Sequence, residues 1–127
     1  MITKELTIIG KQVTLAYCYG TEINFKLLSN EECSDFITEV VEKIQKDEMP
    51  DVQRSIWFIL AAMKAYCKSK GYAEPITEQD LLDELSPKEC GVALGTILGL
   101  RAEFYHVPIG EPEDNQQKGG RDDAKND

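Results

Sequence analysis

The run 56–63, IWFILAAM, is the most hydrophobic stretch of the chain and holds its single tryptophan, Trp57. Asp51 stands ahead of it as an N-cap and Gly71 behind it as a C-terminal stop. The span between them is roughly twenty residues, about 30 Å of helix. A helix that is apolar around most of its circumference is buried on several sides. Segment 55–71 is therefore predicted as the central helix, with shorter and more polar segments packed onto it.

Two of those segments come first in the chain. Residues 3–9 and 12–18 are rich in Thr, Val, Ile and Leu and flank Gly10-Lys11. Alternation places Leu6 and Ile8 on one face, and Val13, Leu15 and Tyr17 on one face of the partner. Gly10 at the first central position suits a two-residue type II′ turn. A β-hairpin is predicted. An isolated hairpin is marginal in water, so this one must lie on something apolar.

Residues 22–28 are readable two ways. Thr21 can cap a short helix in which Ile23, Leu27 and Leu28 cluster at i, i+4, i+5, with Glu22 near the positive end. Ile23, Phe25 and Leu27 also alternate as in a strand; the helix is preferred. Ser29 and Glu32 have capping-box spacing. Cys33, Phe36, Ile37, Val40, Val41 and Ile44 then follow the stripe of an amphipathic helix. Lys43 and Lys46 offset the dipole of its last turn, and Pro50 ends it. After a loop holding Pro75, Thr77-Glu78-Gln79-Asp80 opens a short helix carrying Leu81, Leu82 and Leu85. Ser86, Pro87 and Glu89 supply N-cap, N1 and N3 of a last helix over 87–105.

That last helix carries Gly91, Gly95 and Gly99 at i, i+4, i+8, extended by Ala102. Each interior glycine costs about 1 kcal/mol relative to alanine. The offsetting gain is close approach of a backbone or a large side chain. Packing within the monomer, with Trp57 against the stripe, is one reading. A helix–helix contact with another copy or a partner is the other.

The expected fold is α+β, mainly α: an N-terminal β-hairpin packed on four to five helices. Of the 127 residues, 1–107 are expected as one compact domain. Residues 108–127 hold almost no apolar side chain and are expected to be an acidic, disordered tail.

Composition excludes several classes. A net charge of −9, with Lys and Arg scattered among carboxylates, lacks the basic stripe that nucleic-acid binding needs. No span approaches the ~20 apolar residues of a membrane helix. The first residues lack the apolar core of a signal peptide, so a cytoplasmic location is expected. Cys18, Cys33, Cys67 and Cys90 show no CxxC spacing, which argues against zinc and for reduced, core-filling thiols. His106 is the only histidine and follows Cys90 by about 24 Å of helix, which excludes that nucleophile pair. It reads as a terminal-turn residue that satisfies carbonyls. The carboxylate pairs Glu31/Glu32, Asp80/Glu84 and Glu113/Asp114 fall on caps, exposed faces or the tail rather than in a cleft. No phosphate, dinucleotide, zinc-protease or calcium motif occurs. No catalytic residue, cofactor or metal is expected, and the chain reads as a non-enzyme.

Three short segments resemble the tail assembly chaperones of long-tailed bacteriophages and related prophages. Thr7-Ile8-Ile9-Gly10-Lys11-Gln12-Val13 is similar to their N-terminal hairpin, and Ile23-Asn24-Phe25-Lys26-Leu27-Leu28 to the segment after it. Ile76-Thr77-Glu78-Gln79-Asp80-Leu81-Leu82-Asp83 is similar to the element before their last helix. The similarity spans about residues 5–107. It implies a non-enzymatic assembly factor in a bacterial host cell that binds the tape-measure protein and recruits major tail subunits. It also implies a longer form made by programmed frameshifting near the gene's end. Gln117-Lys118-Gly119 and Lys118-Gly119-Gly120 are each compatible with a slippery heptamer at that place. The alternative is an acidic adaptor or inhibitor of a phage or mobile element, acting by charge on a basic partner.

Overall fold

The computed structural model describes residues 1–106. Strands β1 (Ile2–Ile8) and β2 (Lys11–Tyr17) form an antiparallel two-stranded sheet. Five helices follow: α1 (Tyr19–Ser29), α2 (Cys33–Gln45), α3 (Val52–Lys70), α4 (Glu78–Glu84) and α5 (Pro87–Tyr105). This is the expected α+β, mainly α, architecture. Residue 107 and the segment 108–127 lie outside the described residues.

Helix α3 is the hub. Asp51 caps it, its carboxylate accepting the Arg54 N–H at 2.9 Å, and Gly71 ends it in the left-handed region at φ 72°. Ile56, Phe58, Ile59, Leu60 and Met63 are buried. The sheet lies with β2 against α3 and β1 against α5, and its inner face is Val13, Leu15 and Tyr17. Phe25 of α1, Phe36 of α2 and Phe58 of α3 meet at centroid distances of 5.1–5.7 Å. One core is thereby shared by the sheet and the helices.

The hairpin turn sits one residue earlier than its sequence suggests. Ile8 pairs with Lys11, and the central residues are Ile9 and Gly10, both at positive φ (43° and 79°). That is the backbone of a type I′ turn rather than type II′. A shift of one position in a two-residue turn moves each cross-strand partner by two. The inward faces therefore stay as expected. A β-branched residue in the left-handed region costs about 1–2 kcal/mol. Two contacts hold Ile9 there: its side chain packs on the core, and its N–H donates to Glu89 Oε2 at 2.9 Å.

The junctions around α1 also differ from expectation. The N-cap is Cys18, not Thr21. Thr21 lies in the first turn, fully buried, donating to the Ala16 carbonyl at 2.8 Å and accepting the Cys18 N–H. The inward face of α1 is Thr21, Asn24 and Phe25. Asn24 Nδ2 donates to the Ala61 carbonyl at 3.2 Å, where Ala61, Ala62 and Ala65 of α3 bring no bulk. Ile23 and Leu27, expected in the core cluster, are 59% and 76% exposed. Ser29 does not cap α2; it is the last residue of α1 and donates to the Phe25 carbonyl. Asn30 closes α1 at φ 60°, and Glu32 is the N-cap of α2. The caps of α4 (Thr77 with Asp80) and α5 (Ser86 with Glu89, Pro87 at N1) are as expected.

Candidate functional site

The N-terminal half of α5 faces an apolar groove. Its walls come from segments far apart in sequence. Helix α2 ends at Gln45, and Asp47 at φ 57° turns the chain so that Pro50 points inward while Met49 stays out. Helix α4 is short: Leu81 enters the core, Leu82 on the next position cannot follow, and Leu85 is half-buried. Two hollows of about 90 and 150 Å³ result. The first lies among Val52, Ile56, Leu82, Pro87 and Cys90. The second lies among Ile44, Pro50, Gly91 and Leu94, with the acidic Asp47 and Glu48 also lining it. Met49 lines both, which makes them two parts of one groove.

Ile44, Met49, Val52 and Leu82 are each about half exposed around it. Single exposed apolar residues are ordinary; here four share one groove. A methionine at the centre suits adaptable packing, since its side chain is long, unbranched and polarisable.

Gly91 lines this groove, but the glycines do not serve internal packing as the sequence suggested. Gly91 and Gly95 are exposed, and a Cβ at either would meet no atom within 4 Å. Trp57 is half-buried against the core and does not fill the space above them. The expectation that the stripe admits Trp57 is overturned at these two positions. The close helix approach inside the molecule uses the alanines of α3 with Asn24 instead. Gly99 is half-buried, further along α5.

Most of the remaining sequence candidates take part in caps, ion pairs or the core. His106 takes the left-handed conformation at φ 58°, and it is its backbone N–H that meets the carbonyls of Ala102 and Glu103. Glu31 accepts from Arg54, which also pairs with Glu39 and Asp51 and lies 5.2 Å from the Phe36 ring centroid. Asp80 accepts from the Thr77 N–H, and that bond with the Thr77 hydroxyl holds its carboxyl below the usual range. Glu113/Asp114 lie outside the described residues. Burial pushes the Cys33 thiol up to about 12, and raises those of Cys67 and Cys90. No three His, Cys, Asp or Glu side chains converge as metal ligands among the described residues, and no helix there is long and apolar enough to cross a membrane. Sequence reasoning missed the groove because its residues come from five segments, a few from each. Compared with known proteins, the chain matches no family model, no curated protein and no solved structure.

Proposed function

We propose that this chain is a non-enzymatic tail assembly chaperone of a phage or prophage that docks an apolar helical segment of the tape-measure protein, and with it tail subunits. The observation that carries this reading is the open groove of Met49, Val52, Leu82 and Gly91. An amphipathic helix laid into a hydrophobic groove is a recurrent mode of peptide recognition. Glycines without a neighbour leave room for that helix's backbone to come close. The hairpin, the linker helix and the Thr77 helix, on which the resemblance rests, are all present as elements.

The test is co-purification and titration calorimetry with fragments of the tape-measure product encoded beside it. Binding is expected to survive high salt, because the contact is apolar. Met49→Glu or Leu82→Glu, both at exposed positions, is expected to weaken it at least ~10-fold, as an unpaired charge at the centre of an interface does. Absence of binding to any neighbouring tail product overturns the reading. Binding that collapses with salt favours instead the acidic adaptor acting by charge on a basic partner.

A further inference from the structure

The groove is not uniform along its length. The hollow beside α4 is lined by apolar side chains with Cys90 and Ser86. The hollow at the end of α2 is lined also by two carboxylates, Asp47 and Glu48. The way α2 ends fixes their positions. The Asp47 N–H donates to the Ile44 carbonyl at 3.0 Å, and the Glu48 N–H to the Lys43 carbonyl at 2.8 Å. With Asp47 in the left-handed region, this is a Schellman stop. Glycine or asparagine is the usual residue at that place, and cations rather than anions suit a helix C-terminus. Both acids are exposed, and Lys43 approaches Glu48 only at 4.0 Å. Local stability therefore does not account for an acidic pair at this rim.

We propose that Asp47 and Glu48 select the occupant of the groove: an amphipathic helix with lysine or arginine at one end of its apolar stripe. That basic end lies over the C-terminus of α2, and the apolar remainder lies in the hollow beside Leu82. The inference rests on the docking proposed above and adds the partner's charge and its direction along the groove. Charge complementarity is confined to one end. A helix laid the other way brings its cations over the hollow without carboxylates, where they lose water and gain no partner. The negative end of the α2 dipole adds to the pull of the two acids. Rim pairs of this kind contribute little to affinity and more to orientation and encounter rate. The apolar contact still carries most of the binding and survives salt, whereas the preference for a basic end does not.

The test uses the full chain and two synthetic amphipathic peptides with the same leucine stripe and blocked ends. One carries lysines in the turn at either end of the stripe, and the other carries glutamines at those positions. Titration calorimetry is expected to show the lysine peptide binding about 3–10-fold more tightly at low salt. That advantage is expected to shrink toward none at about 1 M salt. In Asp47→Asn/Glu48→Gln it is expected to vanish, while Glu103→Gln, an exposed acid in the last turn of α5, keeps it. Asparagine tolerates the left-handed region, so the thermal midpoint of the double variant is expected to match or exceed that of the unaltered chain. Methyl signals of Met49 and Leu82 are expected to shift with either peptide, and that of buried Val13 to stay fixed. Equal affinity for the two peptides overturns the proposal. So does a lysine advantage that persists in the double variant, and so does failure of both peptides to bind. The proposed function fails separately. A lysine advantage with no tape-measure fragment bound upholds the selectivity of the groove and overturns the phage role. A tape-measure fragment that binds the double variant as tightly as the unaltered chain leaves the phage role and overturns the selectivity.

Discussion

Glu89 performs two tasks with one carboxylate. Oε1 closes the capping box on Ser86, and Oε2 holds the N–H of Ile9 in the hairpin turn. Glu89→Ala is expected to destabilise the fold by about 1–3 kcal/mol, the sum of a lost cap and a released charged hydrogen bond; chemical denaturation at neutral pH measures it. An Ile9→Gly change removes the left-handed strain but also the packing, so it is not expected to restore the loss. The thiols give a second residue-scale outcome. Burial raises the Cys33 thiol to about 12, so the folded state holds that proton more tightly than the unfolded chain. The contribution is present in full below about 8.5, where an unfolded thiol ionises, and is lost as pH rises from there toward 12. Stability measured by denaturant midpoint is expected to fall across that window, and less steeply in Cys33→Ala. At pH 8 a maleimide is expected to modify the half-buried Cys18 in the native protein and to spare buried Cys33, Cys67 and Cys90.

At the scale of elements, caps proved the most readable signals. Asp51, Gly71, Thr77 and Ser86 act on the chain locally, through their own backbone or a donor three residues on, so the sequence around them suffices. The errors arose where one local pattern lost to another, or to a contact remote in sequence. Ser29 and Glu32 satisfy capping-box spacing, yet Asn30 in the left-handed region ends one helix there, and Ser29 belongs to it. Ile23 and Leu27 look like a core stripe, yet the buried face is set by Thr21 and Asn24, polar residues that find acceptors on β2 and α3. Hydrophobicity does not register a polar residue that is satisfied inside. The glycines of α5 belong here too. Because nothing lies within 4 Å of a Cβ at Gly91 or Gly95, alanine there meets no clash, and helix propensity alone decides. Gly91→Ala/Gly95→Ala is expected to stabilise the free protein by about 1–2 kcal/mol and, through Gly91, which lines the groove, to weaken docking of the helix proposed above. Thermal unfolding and calorimetry on the same variant separate the two effects. Stabilisation with undiminished binding would remove Gly91 from the proposed docking surface.

For the whole molecule, the central helix organises the fold as its apolar circumference implies. It is covered by α1, α2, α5 and β2, and by the aromatic group that Phe58 forms with Phe25 and Phe36. The groove was not legible in the same way. It depends on which side chains remain outside once the core is full, and that follows from relative placement, not from any single segment. The bond between Ile9 and Glu89 joins the first hairpin to the last helix, and β1 packs directly on α5. During synthesis the hairpin therefore waits. A two-stranded piece is marginal on its own, and its second support appears only when the final helix has left the ribosome. A stop anywhere within α5 leaves an unfinished fold, with β1 lacking part of the helix it packs on.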